Sequence, residues 1–388
     1  MVTTKTEKIQ PSSDIQSSPK KIRSSNFELL RIIAMYGIVC FHMIGNTCPS
    51  FDITKTNILV NTLFSFGGHF GNTIFFLLMG YFCYTQKFRI RKIISILAQV
   101  CFYSVLVGYI LVCSGNLTIL QAFKELSFPL YKGEYWFCLA YIILYSLSGF
   151  LNTVVEHSDK KQLIILILIL VLLQVEIPFI NHIYPESNLR LVQNEFIHIP
   201  WSFRVYLIGA FIRKYNVTVK KNHRYLLVLS TLFLVIFNVI GLRYRVVGMS
   251  ENFNNLVILL LGILVFLFFK DLQIRPNRFI NYVASLTLGV YLFHENGNIR
   301  SIIWNNMVKL NRFDSKIYYP VIALFMGLAV FVVGCLMDCV RKRYFEKGFW
   351  KLMDNKLIPF CSKMKSKAVG FINSHRKSAE YKNAYRQK

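Results

Sequence analysis

The chain reads as an all-α, polytopic integral membrane bundle of about ten transmembrane helices with both termini in the cytoplasm. Three observations carry that fold class. Of its 388 residues, 54% are hydrophobic and 15% aromatic. Only 16% are charged, where a soluble domain carries about 25%. Apolar runs close to twenty residues long, the length of a bilayer crossing, recur from one end to the other.

Taken in order, residues 1–24 form a polar cytoplasmic tail with Lys5, Lys8, Lys20, Lys21 and Arg23. It lacks the apolar core and small-residue cleavage site of a signal peptide, so the first span, 27–44, is expected to act as an uncleaved anchor. Span two, 58–84, is expected to be interrupted at Gly67-Gly68-His69-Phe70-Gly71. Spans three and four are read at 93–113 and 135–151, and an Ile/Leu block at 163–180 gives span five. Span six, 201–212, is short; spans seven and eight follow at 225–242 and 256–269. Span nine, 283–295, is short and polar at its end, and span ten runs over 319–340. The membrane domain then covers 25–343, followed by a basic cytoplasmic tail at 344–388.

Positive charge sets the orientation. Lys20, Lys21 and Arg23 precede span one, and Lys87, Arg89, Arg91 and Lys92 separate spans two and three. Lys160 and Lys161, then Arg213, Lys214, Lys220, Lys221 and Arg224, then Lys270, Arg275 and Arg278, and finally Arg341, Lys342 and Arg343 mark every later even-numbered connection. Basic loops stay in the cytoplasm. The outer loops are less clean, since Arg243, Arg245, Arg300, Lys309, Arg312 and Lys316 fall there. The formal charge of +26 fits anionic lipid headgroups better than nucleic acid, because no aromatic-basic recognition motif accompanies it. The tail after residue 340 alone holds fourteen Lys or Arg against three Asp or Glu. Nine cysteines, an odd number without metal-ligand spacing, suggest neither a disulfide framework nor a metal site.

Ionisable groups inside apolar spans are expensive and mark working sites. Arg31 and His42 lie eleven positions apart in span one, which places them on one helix face and about 16 Å apart along the axis. With span one starting inside, Arg31 is near the cytoplasmic face and His42 nearer the outer one. His69 sits midway along span two. Glu134, His198 and the pair His294-Glu295 sit at the outer ends of spans four, six and nine. Candidate acid/base groups thus gather from several spans at the level of His42. For each alone, the plainer reading is an interfacial or packed residue.

Three further segments carry more than hydropathy. Phe75-Phe76-Leu77-Leu78-Met79-Gly80-Tyr81 ends span two before a basic loop. Glu134-Tyr135-Trp136-Phe137 opens span four. Leu288-Gly289-Val290-Tyr291-Leu292-Phe293-His294 forms most of span nine. With the Arg-x10-His first span, this ordered set resembles the membrane-bound acyltransferase-3 family over about residues 25–343. The resemblance implies transfer of an acyl group, usually acetyl from acetyl-CoA, to surface carbohydrates. It implies His42 as the catalytic His and Arg31 as the donor-handling Arg. It makes acetyl-CoA a substrate, with no resident cofactor, and places the protein in a bacterial plasma membrane. Where many relatives carry Arg-x-x-Arg after span two, this loop reads Lys87-Phe88-Arg89-Ile90-Arg91-Lys92. The short tail cannot hold the esterase-like domain that relatives acting on peptidoglycan append, which points to capsule, exopolysaccharide or a lipid-linked glycan.

The residues fit such chemistry. A sugar hydroxyl needs a base within hydrogen-bond reach, and a neutral imidazole suits that task. The phosphates of CoA need cations near the inner face, for which Arg31, Arg89, Arg91 and Lys92 are candidates. Glu134, His69, His294 and Glu295 are further acid/base or acceptor-site candidates. A transporter or flippase of lipid-linked sugars would also use intramembrane Arg and His, and a passive scaffold would have no use for them.

Overall fold

The computed structural model describes residues 23–48, 57–127, 129–130, 135–183, 198–243, 256–357 and 359. Among them every regular element is a helix, as bilayer solvent demands of a chain whose backbone must satisfy itself. The long helices are α1 (Ser25–Thr47), α2 (Ile58–Cys83), α3 (Ile90–Cys113), α5 (Trp136–His157) and α6 (Lys160–Ile183). Between α3 and α5 lies the short α4 (Ile119–Leu126). It opens on a reciprocal cap in which the Gln121 amide N–H donates to the Thr118 hydroxyl and the Thr118 N–H to the Gln121 side chain. Helices α7 (His198–Lys214), α8 (Arg224–Arg243) and α9 (Leu256–Asp271) follow. The short helices α10 (Arg278–Ala284), α11 (Thr287–His294) and α12 (Gly297–Ser301) then lead to α13 (Tyr319–Val340). That last helix continues through wide turns and α14 (Lys347–Leu352) as far as Leu357, into the stretch expected to be tail.

Among the described residues, six helices are long and apolar enough to cross a bilayer. The chain is an all-α membrane bundle. Of the ten expected spans, the fifth through eighth coincide with α6 to α9, of which α7 and α9 have only 17 and 16 residues. The bundle is built around α2, whose apolar stretch is 72% buried, against 12% for the helix that includes most of α8. Leu229, Phe233 and Ile236 of α8, and Val321, Phe325 and Leu328 of α13, are exposed, as side chains facing lipid tails would be.

Two expectations are corrected. The glycine cluster of span two does not interrupt it, for α2 is continuous. A glycine costs a helix about 1 kcal/mol, whereas unpaired backbone in hydrocarbon costs several per group, so the helix persists. The glycines serve packing instead. A Cβ on Gly37 would lie 3.2 Å from the Cα of Gly67, and one on Gly71 would meet the Ile38 side chain at 2.7 Å. They let α1 and α2 approach backbone to backbone. His69 accordingly sits on a buried helical face rather than in a break. Span nine, conversely, is broken at Ser285-Leu286, between α10 and α11. The freed carbonyl of Ser285 accepts a hydrogen bond from Lys342 Nζ at 2.6 Å, and the Ser285 hydroxyl one at 2.7 Å. A cation from the continuation of α13 thus takes the place of the missing helical turn.

Candidate active site

The C-terminal ends of α1 and α11 bring together residues 252 positions apart. His294 closes α11 and is fully buried. Its Nδ1 lies 2.6 Å from the carbonyl of Val290 one turn back. That ring nitrogen therefore donates, and in the neutral ring Nε2 holds the lone pair. His42 Nδ1 lies 2.9 Å from His294 Nε2 and 3.0 Å from Glu295 Oε2. His294 Nε2 accepts and the Glu295 carboxylate lies beside the same atom, so His42 Nδ1 is the protonated nitrogen. The lone pair of His42 is left on Nε2, the usual tautomer logic of a histidine base. Glu295 in turn accepts from Arg300 Nη1 at 3.0 Å. The turn after α11 is fixed by Asn296, whose side chain accepts from the Asn298 N–H and donates to the Tyr135 hydroxyl at 2.8 Å. Tyr135 donates to the Leu292 carbonyl at 3.0 Å. Trp304 packs edge-on against the His294 ring, 6.1 Å between centroids.

His42, His294 and Glu295 offer three ligand atoms within 4.8 Å of one another, the donor set of a zinc site. The 2.9 Å between the two ring nitrogens is a hydrogen bond. Tetrahedral Zn–N bonds of 2.0–2.1 Å would hold two ligand nitrogens about 3.3 Å apart.

Toward the opposite end of the bundle lies a cavity of about 430 Å³. Its walls are apolar, with Met35, Phe75, Leu78 and Phe137 among them. Its cations are Arg23, Arg31, Lys92, Arg341 and Lys342. The innermost cavity residue of α1, Met35, lies seven positions before His42, about 10 Å along the helix. Arg31 is 29% exposed and donates from Nη1 to both oxygens of Glu28 at 2.9 Å. Lys92 lies over the Tyr145 ring, 4.6 Å from its centroid.

The structure thus joins His42, His294 and Glu295 in one cluster, and Arg31 and Lys92 in one cavity. His69 stands beside them, its ring 5.3 Å from that of Phe41. Arg89 immediately precedes α3, its N–H donating to the Tyr145 hydroxyl, and its side chain is exposed outside the cavity. Arg91 is turned away, bound to Asp354 at 2.7 Å and stacked on Trp350. Glu134 lies outside the described residues, as does the side chain of His198. Sequence does not single out Arg300, Tyr135, Asn296 or Arg341 as site residues, although Tyr135 falls in the motif that opens span four and Arg300 and Arg341 among the basic loop charges. Arg341 looks there like any flanking positive charge, and the others act through contacts between distant spans.

The profile described as an acyltransferase domain matches residues 24–339. The chain belongs to the acyltransferase-3 family. It is a multi-pass membrane acyltransferase. The match begins at the residue before α1 and ends within the last turn of α13, so it takes in the histidine cluster and most of the cavity. Neither a curated protein nor a solved structure matches the chain. Family membership favours group transfer over transport of lipid-linked sugars.

Proposed function

We propose that this acyltransferase moves an acetyl group from acetyl-CoA to a hydroxyl of a cell-surface or lipid-linked glycan, with His42 as the base. The observation that carries the reading is the hydrogen-bonded tautomer of His42. Its Nε2 is free to take the hydroxyl proton, while Nδ1–H points at His294 and Glu295. As the acceptor oxygen attacks the thioester carbonyl, the proton passes to Nε2 and the imidazolium is stabilised by the Glu295 carboxylate. Collapse of the tetrahedral intermediate breaks the C–S bond, and Nε2–H returns the proton to the leaving thiolate. Arg300 donates to Glu295 and holds its carboxylate in place.

The donor reading draws its support from the cavity. Five cations against one carboxylate, Glu346, among its lining residues suit the phosphates of CoA, and its apolar walls suit the pantetheine arm. The route from Arg31 to His42, about 16 Å along one helix, is of the length such an extended arm covers.

The test is transfer of label from [¹⁴C]acetyl-CoA to purified surface glycan by the full-length protein in lipid nanodiscs. Labelled, alkali-labile acetyl on the glycan is the expected result. Glycan left unlabelled by active, folded protein from acetyl-CoA, but modified from a longer acyl-CoA, would overturn the acetyl assignment.

A further inference from the structure

One of the cavity's cations, Arg341, is tied to a buried carboxylate that does not itself line the cavity. Asp338, in the last turns of α13, is completely buried. Its Oδ1 accepts from Arg341 Nε at 2.6 Å and from the Tyr103 hydroxyl at 3.2 Å, and its Oδ2 accepts from Arg341 Nη2 at 3.3 Å. The same Nη2 lies 3.3 Å from Glu346 Oε2. The Arg341 side chain is only 3% exposed, yet it lines the cavity. Room for the carboxylate is made by Gly289 of α11, where a Cβ would overlap the Asp338 side chain.

Buried ion pairs rarely improve stability over apolar packing, because desolvation offsets the attraction. In a membrane span their presence calls for another reason. The geometry here supplies one. Two carboxylates take Nε and Nη2 and so fix the guanidinium plane. Nη1 carries no hydrogen bond among the described residues. A lysine, or an arginine free to turn, would not present a donor in a set direction.

We propose that Asp338 is a positioning residue: with Tyr103 and Glu346, and in the space left by Gly289, it holds Arg341 so that Nη1 binds a phosphate of the acyl donor. The proposal rests on the reading of the donor as a CoA thioester. It predicts that the pair acts on phosphorylated donors alone.

Steady-state kinetics of the full-length protein in nanodiscs, with acetyl-CoA and with S-acetyl-pantetheine (the same thioester without the phosphorylated adenosine part), provide the test. Asp338→Asn keeps size and burial but removes the charge. Its KM for acetyl-CoA should rise about tenfold, the scale of one charge-assisted hydrogen bond, with kcat within about threefold. KM for S-acetyl-pantetheine should stay unchanged. Arg341→Lys, which keeps the charge and loses the fork, should show the same split, and Asp338→Asn added to Arg341→Ala should cost nothing further. An equal KM increase for both donors, or a fall in kcat alone, would overturn the clamp. Should Asp338→Asn fail to fold, Arg341→Lys and Arg341→Gln read the same split by themselves. Wild-type protein that takes no acetyl group from acetyl-CoA would remove the donor reading and the clamp with it. Wild-type transfer combined with unchanged acetyl-CoA kinetics in the Arg341 variants would remove the clamp alone.

Discussion

In the proposed reaction, the direction of a single proton at His42 decides the chemistry. The Val290 carbonyl fixes His294, His294 and Glu295 fix His42, and the free lone pair falls on Nε2. His42→Ala should therefore lower acetyl transfer by about 10²-fold or more, the scale of losing a general base, with insertion unchanged. Rates near wild type would hand the role to another group. Glu295→Gln should cost less and should also weaken the site's tolerance of salt, because Arg300 would lose its partner. Chelators should leave the rate untouched, since the two imidazoles are bonded to each other; inactivation by EDTA with rescue by zinc would replace the base with a metal site. Arg31 has two claims on it. Its contact with Glu28 is worth about 0.2–0.5 kcal/mol as a helical i,i+3 pair, and it also lines the cavity. Arg31→Lys should raise KM for acetyl-CoA and leave that for the glycan alone; wild-type donor kinetics would reduce Arg31 to the local pair. Arg31 and His42 were legible because charge inside an apolar run stands out. His294 and Glu295 were legible only as a matter of depth. Asn296 and Tyr135 were not, because they meet across 161 residues of sequence, and no local pattern encodes such a contact.

At the level of helices, glycine misled and its absence concealed. Three glycines over 67–71 suggested a broken span, yet α2 is continuous and these glycines lie against α1. The real break, at Ser285-Leu286, has neither glycine nor proline and is held by Lys342 from the continuation of α13. The same residue type that weakens a helix also lets two helices touch, and sequence alone does not say which effect wins. Packing decides here, and it can be tested. A Cβ on Gly67 would lie 2.6 Å from the Gly37 carbonyl carbon and 2.8 Å from its Cα. Backbone cannot move aside as a side chain can. Gly67→Ala should therefore push α1 from α2, destabilise the protein by about 1–3 kcal/mol, the usual cost of overpacking, and shift His42 away from His294. Gly45→Ala, where a Cβ meets nothing within 4 Å, is the control. Equal melting temperatures in detergent for the two variants would show that the close approach carries no stability.

Across the whole molecule the polar groups separate into two ends. Arg23, Arg31, Lys92, Arg341 and Lys342 converge on the cavity from the N-terminal segment, α1, α3 and the continuation of α13. The histidine cluster lies at the other end of α1. Positive charge collects on the cytoplasmic side of membrane proteins, so the cationic end should face the cytoplasm and the cluster should lie toward the outer leaflet. The ten-span arrangement requires the same of the turn between α3 and α4. In a cysteine-free background, a cysteine placed at Asn116 should react with an impermeant maleimide from outside intact cells, and one placed at Lys388 should not. Function supplies the stronger test, because CoA does not cross a bilayer. Inside-out vesicles should transfer acetyl from acetyl-CoA added to the medium. Sealed right-side-out vesicles should do so only after permeabilisation. The glycan should show the opposite preference if the acceptor is modified on the outer side, so each vesicle type should need its second substrate loaded within. Equal acetyl-CoA-dependent rates in both sealed preparations would mean that the cationic cavity does not face the cytoplasm, and the positive end of this molecule would then have to be explained without the donor.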